Sequence, residues 1–155
     1  AAHVATTGAC LDERQTIESA HGEAGPSCFA VLRDMLRDPR TEGRLYADIS
    51  ATTQVNRAGA FLADILADTA LHTRLVNGSD YPLPAIDPLV STRYLERAGL
   101  LSSDDRALAN AVFTHNPLLF DYVLKRKVRV VTDGVERRFS PGVFETASLF
   151  TGAHA

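Results

Sequence analysis

Arg74-Leu75-Val76-Asn77-Gly78-Ser79-Asp80-Tyr81-Pro82-Leu83-Pro84 is the stretch whose reading decides the fold. Leu75 and Val76 form the short apolar run of a buried strand, Asn77-Gly78 frees the backbone to turn, and Pro82 and Pro84 stiffen the segment beyond the turn. Asp80 is thereby placed at a strand's carboxyl end, where parallel α/β folds and βα barrels carry their chemistry. The structural alternative is an Asx turn, in which Asp80 bonds its own backbone ahead of a proline-rich loop.

Upstream of this stretch, residues 56–71 predict a helix with Phe61, Leu62, Ile65 and Leu66 as the apolar stripe and Asp64 and Asp68 on the wet side. Before it, residues 45–50 alternate as a strand does, with Leu45, Ala47 and Ile49 on one face and Tyr46, Asp48 and Ser50 on the other. Asp48 or Ser50 could reach a pocket, but local hydrogen bonds at a strand end are the favoured reading. Ser27 caps an earlier helix carrying Phe29, Val31, Leu32, Met35 and Leu36, which Asp38-Pro39 ends. Residues 9–26 read as a long polar loop, and residues 1–5 as the tail of a strand that places His3 much as Asp80 is placed. A lone histidine is more often a surface or core residue than a ligand. Strand, loop, helix, strand, helix, strand is the order of crossover units in a parallel sheet.

Downstream the character becomes helical. Residues 88–98 carry Leu89, Val90, Tyr94 and Leu95 and stop at Gly99; Ser102-Ser103-Asp104-Asp105 caps a second helix with Leu108, Ala111, Val112 and Phe113. Asn116-Pro117 starts a third, with Leu119, Phe120, Val123 and Leu124 inward and His115 at the surface or in a capping role. Residues 128–139 alternate about Asp133-Gly134, the dipeptide of a tight hairpin, and the tail from Ser140 is expected as an appendage carrying Val143, Phe144, Leu149 and Phe150.

A net charge of −3 and a pI near 5.9 argue against nucleic acid or an anionic membrane as the main partner and favour a small molecule or a protein. No stretch reaches the ~18 apolar residues of a membrane span, and the first residues lack the pattern of a signal peptide, so the expectation is a cytoplasmic protein. Cys10 and Cys28 lack metal-site spacing and are read as free thiols. The apolar opening without a methionine suggests a chain that begins in the middle of something.

Leu75-Val76-Asn77-Gly78-Ser79-Asp80-Tyr81-Pro82 resembles the eighth strand of a metal-dependent amidohydrolase of the barrel type, with its metal-site aspartate at Asp80. Residues 45–50 resemble that family's seventh strand, Ala2-His3-Val4 the end of a sixth or fifth strand with its histidine, and Asn116-Pro117-Leu118-Leu119-Phe120 the helix that closes the barrel. The fold this implies is α/β: the C-terminal part, about three βα units plus terminal helices and a hairpin, of a TIM-type (β/α)8 barrel. Residues 1–127 would be the barrel part and residues 128–155 the hairpin and tail.

The resemblance also implies an activity: hydrolysis of C–N or C–O bonds by metal-activated water, with zinc the expected ion and Asp80 and His3 as metal ligands and catalytic groups. Related barrels also decarboxylate aromatic acids. A complete barrel takes about 250 residues, and the five histidines include no His-x-His pair. The chain is therefore expected to be a partial one, completed by a missing N-terminal barrel segment or partner chain, or covering its apolar surface by forming a homo-oligomer. A non-catalytic α/β module that docks a protein is the reading from another class.

Overall fold

The computed structural model describes Val4, residues 28–86 and residues 88–147. His3, the polar loop from Ala9 to Pro26, Cys10, Leu149 and Phe150 lie outside the described residues. The fold that emerges mixes helix with short strands. A first helix, α1 (Cys28–Arg37), leads through a 3₁₀ turn at Pro39–Thr41 to β1 (Ala47–Asp48); then come α2 (Ala60–Ala67), a 3₁₀ segment at Thr69–Arg74 and β2 (Leu75–Val76). β1 and β2 pair in parallel, Ala47 against Leu75 and Asp48 against Val76, and Ile49 N–H extends the ladder to the Val76 carbonyl at 2.9 Å. This is the parallel crossover that the alternation of patterns predicts, and it puts the exits of both strands side by side.

Helix α2 is shorter than its apolar stripe suggests. Residues 51–57 run as turns in which Thr52, Thr53 and Gln54 are buried, and the helix begins only after Gly59, whose φ of 106° suits glycine. Leu62, Ile65 and Leu66 are its buried face, as the periodicity indicates. Asp68, at the far end, pairs with Arg37 of α1.

Three helices come next: α3 (Thr92–Arg97), α4 (Ser103–His115) and α5 (Pro117–Lys127). Each starts on a cap with a physical partner. Ser91 accepts from Tyr94 N–H, Ser102 from Asp105 N–H, and Asn116 from the N–H groups of Leu118 and Leu119. Phe113 of α4 meets Phe120 of α5 edge to face, 5.0 Å between centroids. The inward face of α5 departs from the expected one: Phe120 and Leu124 are buried, but Leu119 is 46% exposed, and Asp121 and Lys125 take inward positions instead. A hairpin, β3 (Val130–Thr132) and β4 (Val135–Arg137), closes on Asp133-Gly134, both with positive φ, as its dipeptide requires.

The segment after the hairpin is stitched into the core and is no appendage. Phe139 and Val143 are buried in the same cluster as Leu75 and Ile65, and the Val143 carbonyl accepts from Asn77 N–H at 2.8 Å. Cys28 corrects another expectation: it is disulfide-bonded. Pairing depends on the approach of two chain segments in space, and spacing along the sequence does not reveal it.

Arg74 closes the amino end of the parallel pair. Its buried guanidinium donates to the carbonyls of Leu36, Thr41 and Leu45, tying the end of α1 and the approach to β1 onto the residue that precedes β2. Arg74→Met should cost about 2–4 kcal/mol, read as a fall in the urea midpoint at unchanged slope, and Arg74→Lys should restore only part because an ammonium lacks the planar fork.

Candidate functional site

The exits of β1 and β2 bring together the polar residues that the sequence singles out. Asp48 ends β1, and its Oδ1 accepts from Ser50 N–H at 3.0 Å and from the Ser50 hydroxyl. The favoured reading, local hydrogen bonding at the strand end, therefore describes this contact. Gly78 leaves β2 against them: a Cβ built on it would lie 3.3 Å from Asp48 Oδ1 and 3.4 Å from Ser50 Cβ. Glycine is thus what lets the two exits approach.

Asp80 comes two residues later with a φ of 53°, in the left-handed region that aspartate tolerates better than most residues. Its carbonyl accepts from Leu83 N–H at 3.0 Å, and Ser79 Oγ accepts from Tyr81 N–H at 3.3 Å, so the turn is held from both sides of the aspartate. An Asx turn at Asp80 would need the N–H two residues on. That residue is Pro82, which has none. A bond from the Asp80 carboxylate to that residue is therefore excluded, and the bond to the N–H two residues on is made by Asp48.

Beneath the turn lies a buried ion pair that pattern reading did not find. Lys125 Nζ donates to Asp121 Oδ2 at 2.6 Å and to the Gly78 carbonyl at 2.6 Å, with the two side chains 0% and 3% exposed. Burial pushes the Asp121 carboxyl up, against the pull of Lys125, and the negative charge of Asp80 adds to the rise. Burial likewise pulls the Lys125 ammonium down, opposed by Asp121, Asp48 and Asp80. The only signal in the sequence was the i, i+4 spacing of Asp121 and Lys125 on a helix, which ordinarily marks a solvated face.

A cavity of about 320 Å³ adjoins this group. Asn77, Ser79 and Asp121 supply its polar wall and Leu118, Leu119 and Tyr122 its apolar one, the mixture that small-molecule sites use. Asn77 Oδ1 is buried there with no hydrogen-bond partner among the described residues. As for a metal, the described residues contain no group of three or more His, Cys, Asp or Glu able to hold one. Asp80 offers one carboxylate, a donor zinc accepts, and does not complete a site with its described neighbours. His3 is outside the described residues, and His115 is exposed at the end of α4.

No protein family, no curated protein and no solved structure matches the chain. Among the described residues, no helix is long and apolar enough to cross a membrane.

One more titratable group sits beside β2. His72 is buried; its Nδ1 accepts from Ser140 N–H at 3.2 Å and lies 2.9 Å from Ser140 Oγ, which leaves Nε2–H to donate to the Ile65 carbonyl at 3.0 Å. Burial lowers its pKa from the ordinary 6.5, against the pull of the Ile65 carbonyl and Asp68. The native ring is neutral, so its contribution to stability is complete above about pH 6.5 and is lost as the pH falls below that value toward the lower folded pKa. Urea midpoints should drop between about pH 7.5 and about pH 5, and His72→Gln should flatten the drop; equal slopes in the two proteins would contradict this assignment.

Proposed function

We propose that the chain carries part of the active site of a metal-dependent hydrolase of the amidohydrolase type, with Asp80 as its catalytic carboxylate. The observation that supports this most is the position of Asp80: it stands on a turn that follows the carboxyl end of a parallel strand pair, and Ser79, its neighbour in the chain, lines a cavity with polar and apolar walls. Parallel α/β folds bind and transform small molecules at that end of the sheet.

In this reading Asp80 serves as one metal ligand and His3 as a second or as a group that orients the substrate, with the remaining donors outside the described residues. A divalent ion, zinc first, would polarise a carbonyl and acidify a water when bound. The Asp80 carboxylate would accept a proton from the attacking water and pass it to the leaving group. The neighbouring cavity, with Leu118, Leu119 and Tyr122 on one side and Asn77 and Ser79 on the other, would hold the apolar body of the substrate and orient its polar end. A TIM-type barrel completed by further βα units supplies the rest of the site.

The cytoplasmic placement expected from the sequence has to accommodate the Cys28 disulfide, because such bonds are rare in reducing compartments. Thiol labelling of the native protein should find Cys28 unreactive until a reductant is added.

Asp80→Asn decides the catalytic assignment. In the complete protein it should abolish metal-dependent turnover across a panel of esters, amides and aromatic carboxylic acids while shifting stability by less than about 1 kcal/mol. Turnover that survives the substitution unchanged removes Asp80 from the chemistry.

A further inference from the structure

We propose that Lys125 is the positioning residue of this site, its buried ammonium holding the Gly78–Asp80 turn against the exit of β1. The inference rests on the reading of Asp80 as the functional carboxylate and adds a residue that reading does not contain. Lys125 reaches from α5 to the Gly78 carbonyl at 2.6 Å, two residues before Asp80, while its other acceptor, Asp121, lies one turn back on the same helix. One ammonium therefore links the last helix of the bundle to the turn leaving β2. Gly78 in turn packs on Asp48 and Ser50, so the position of its carbonyl sets how closely the two strand exits approach.

Packing does not explain a charge at this place. Phe120, Leu124 and Val128, near it in sequence, are buried core residues, and at a fully buried position an unbranched apolar side chain such as Met avoids the desolvation cost of an ammonium, which is on the order of several kcal/mol. Two further carboxylates, Asp48 and Asp80, lie near enough to favour the charged amine. The cation thus stands where strand exit, turn and helix meet, and its charge faces the carboxylates that the site would use.

The competing explanation is that Lys125 only neutralises Asp121. The double variant Lys125→Met, Asp121→Leu separates the two, because exchanging a buried ion pair for apolar residues of similar volume is often neutral or stabilising, yet it removes the link to Gly78. Two readouts in the full protein decide: hydrogen exchange at the amides of 78–81, and zinc affinity by competition with a chromophoric chelator.

With the global urea midpoint retained, exchange at 78–81 should quicken about tenfold while α5 stays protected, and zinc affinity should fall by about 10- to 100-fold, as when a supporting partner of a ligand is lost. Lys125→Arg, which keeps a cation, should recover part of both. Unchanged exchange at 78–81 overturns the proposal. If zinc affinity does not respond to Asp80→Asn either, the metal reading of Asp80 fails separately, and the exchange data still decide the role of Lys125. A measurement on the unaltered protein guards against a variant that does not fold: NMR should detect a coupling across the hydrogen bond between the Lys125 ammonium nitrogen and the Gly78 carbonyl carbon, and its absence overturns the proposal too.

Discussion

A parallel ladder of two residues per strand is too short to hold itself, and a buried cation stands at each end of the pairing of β1 with β2. Arg74 stands immediately before β2 and gathers the carbonyls of Leu36, Thr41 and Leu45; Lys125 reaches the Gly78 carbonyl just beyond it. Both act on backbone oxygen, which the short strands leave without ladder partners. Hydrogen bonds to charged donors contribute about 1.5–3 kcal/mol each, so those of Arg74 offset part of what a longer ladder would have supplied. The apolar cluster of Ala47, Ile49, Leu62, Ile65 and Leu75 fills the space between, but it is non-directional and would tolerate a slip that the two cations do not.

The segment after the hairpin belongs to the same construction. His72, on the 3₁₀ segment that delivers Arg74, fixes Ser140 through Nδ1, and the Val143 carbonyl takes the N–H of Asn77 on the other side of β2. One stretch of chain thus contacts the strand's approach and its departure. Val143 seals the arrangement by complete burial. The result is that the turn bearing Asp80 is held by α5 through Gly78 and by the 140–144 segment through Asn77.

Features with a local cause were legible in the sequence. The caps Ser102 and Asn116, the Asp133-Gly134 turn and the buried stripe of α2 all arise from neighbouring residues, and so does the exit position of Asp80, because Asn-Gly before it and proline after it leave few alternatives. Contacts created by the tertiary fold stayed hidden. Arg74, His72, Asp121 and Lys125 are polar, and a pattern rule sends polar residues outward; here each is buried because its partner comes from a segment elsewhere in the chain or, for Asp121, because the lysine it pairs with is itself drawn inward. The late start of α2 has the same origin, since turns that bury Thr52 to Gln54 consume residues that propensity would assign to helix. The proline that rules out an Asx turn at Asp80 was in plain view.

Charge gathers at the strand exits, and this bears on how the turn is held. Asp48, Asp80 and Asp121 all act on one ammonium, and the Asp121 carboxylate accepts a hydrogen bond from it. Had the ion pair served stability alone, Asp121 and Lys125 would suffice, and an apolar pair would serve as well. Instead the ammonium commits a second hydrogen bond to a glycine carbonyl, fixing the backbone two residues ahead of Asp80. A fixed backbone matters most where a side chain must meet something at a set distance, since a catalytic or ligating group loses its effect when displaced by about 1 Å. Asp80 itself sits in a left-handed conformation that is uncommon outside glycine. The Lys125 hydrogen bond restrains the backbone leading into it; burying an ammonium is a costly way to restrain a turn, and on the proposed reading of Asp80 that restraint sets where its carboxylate stands.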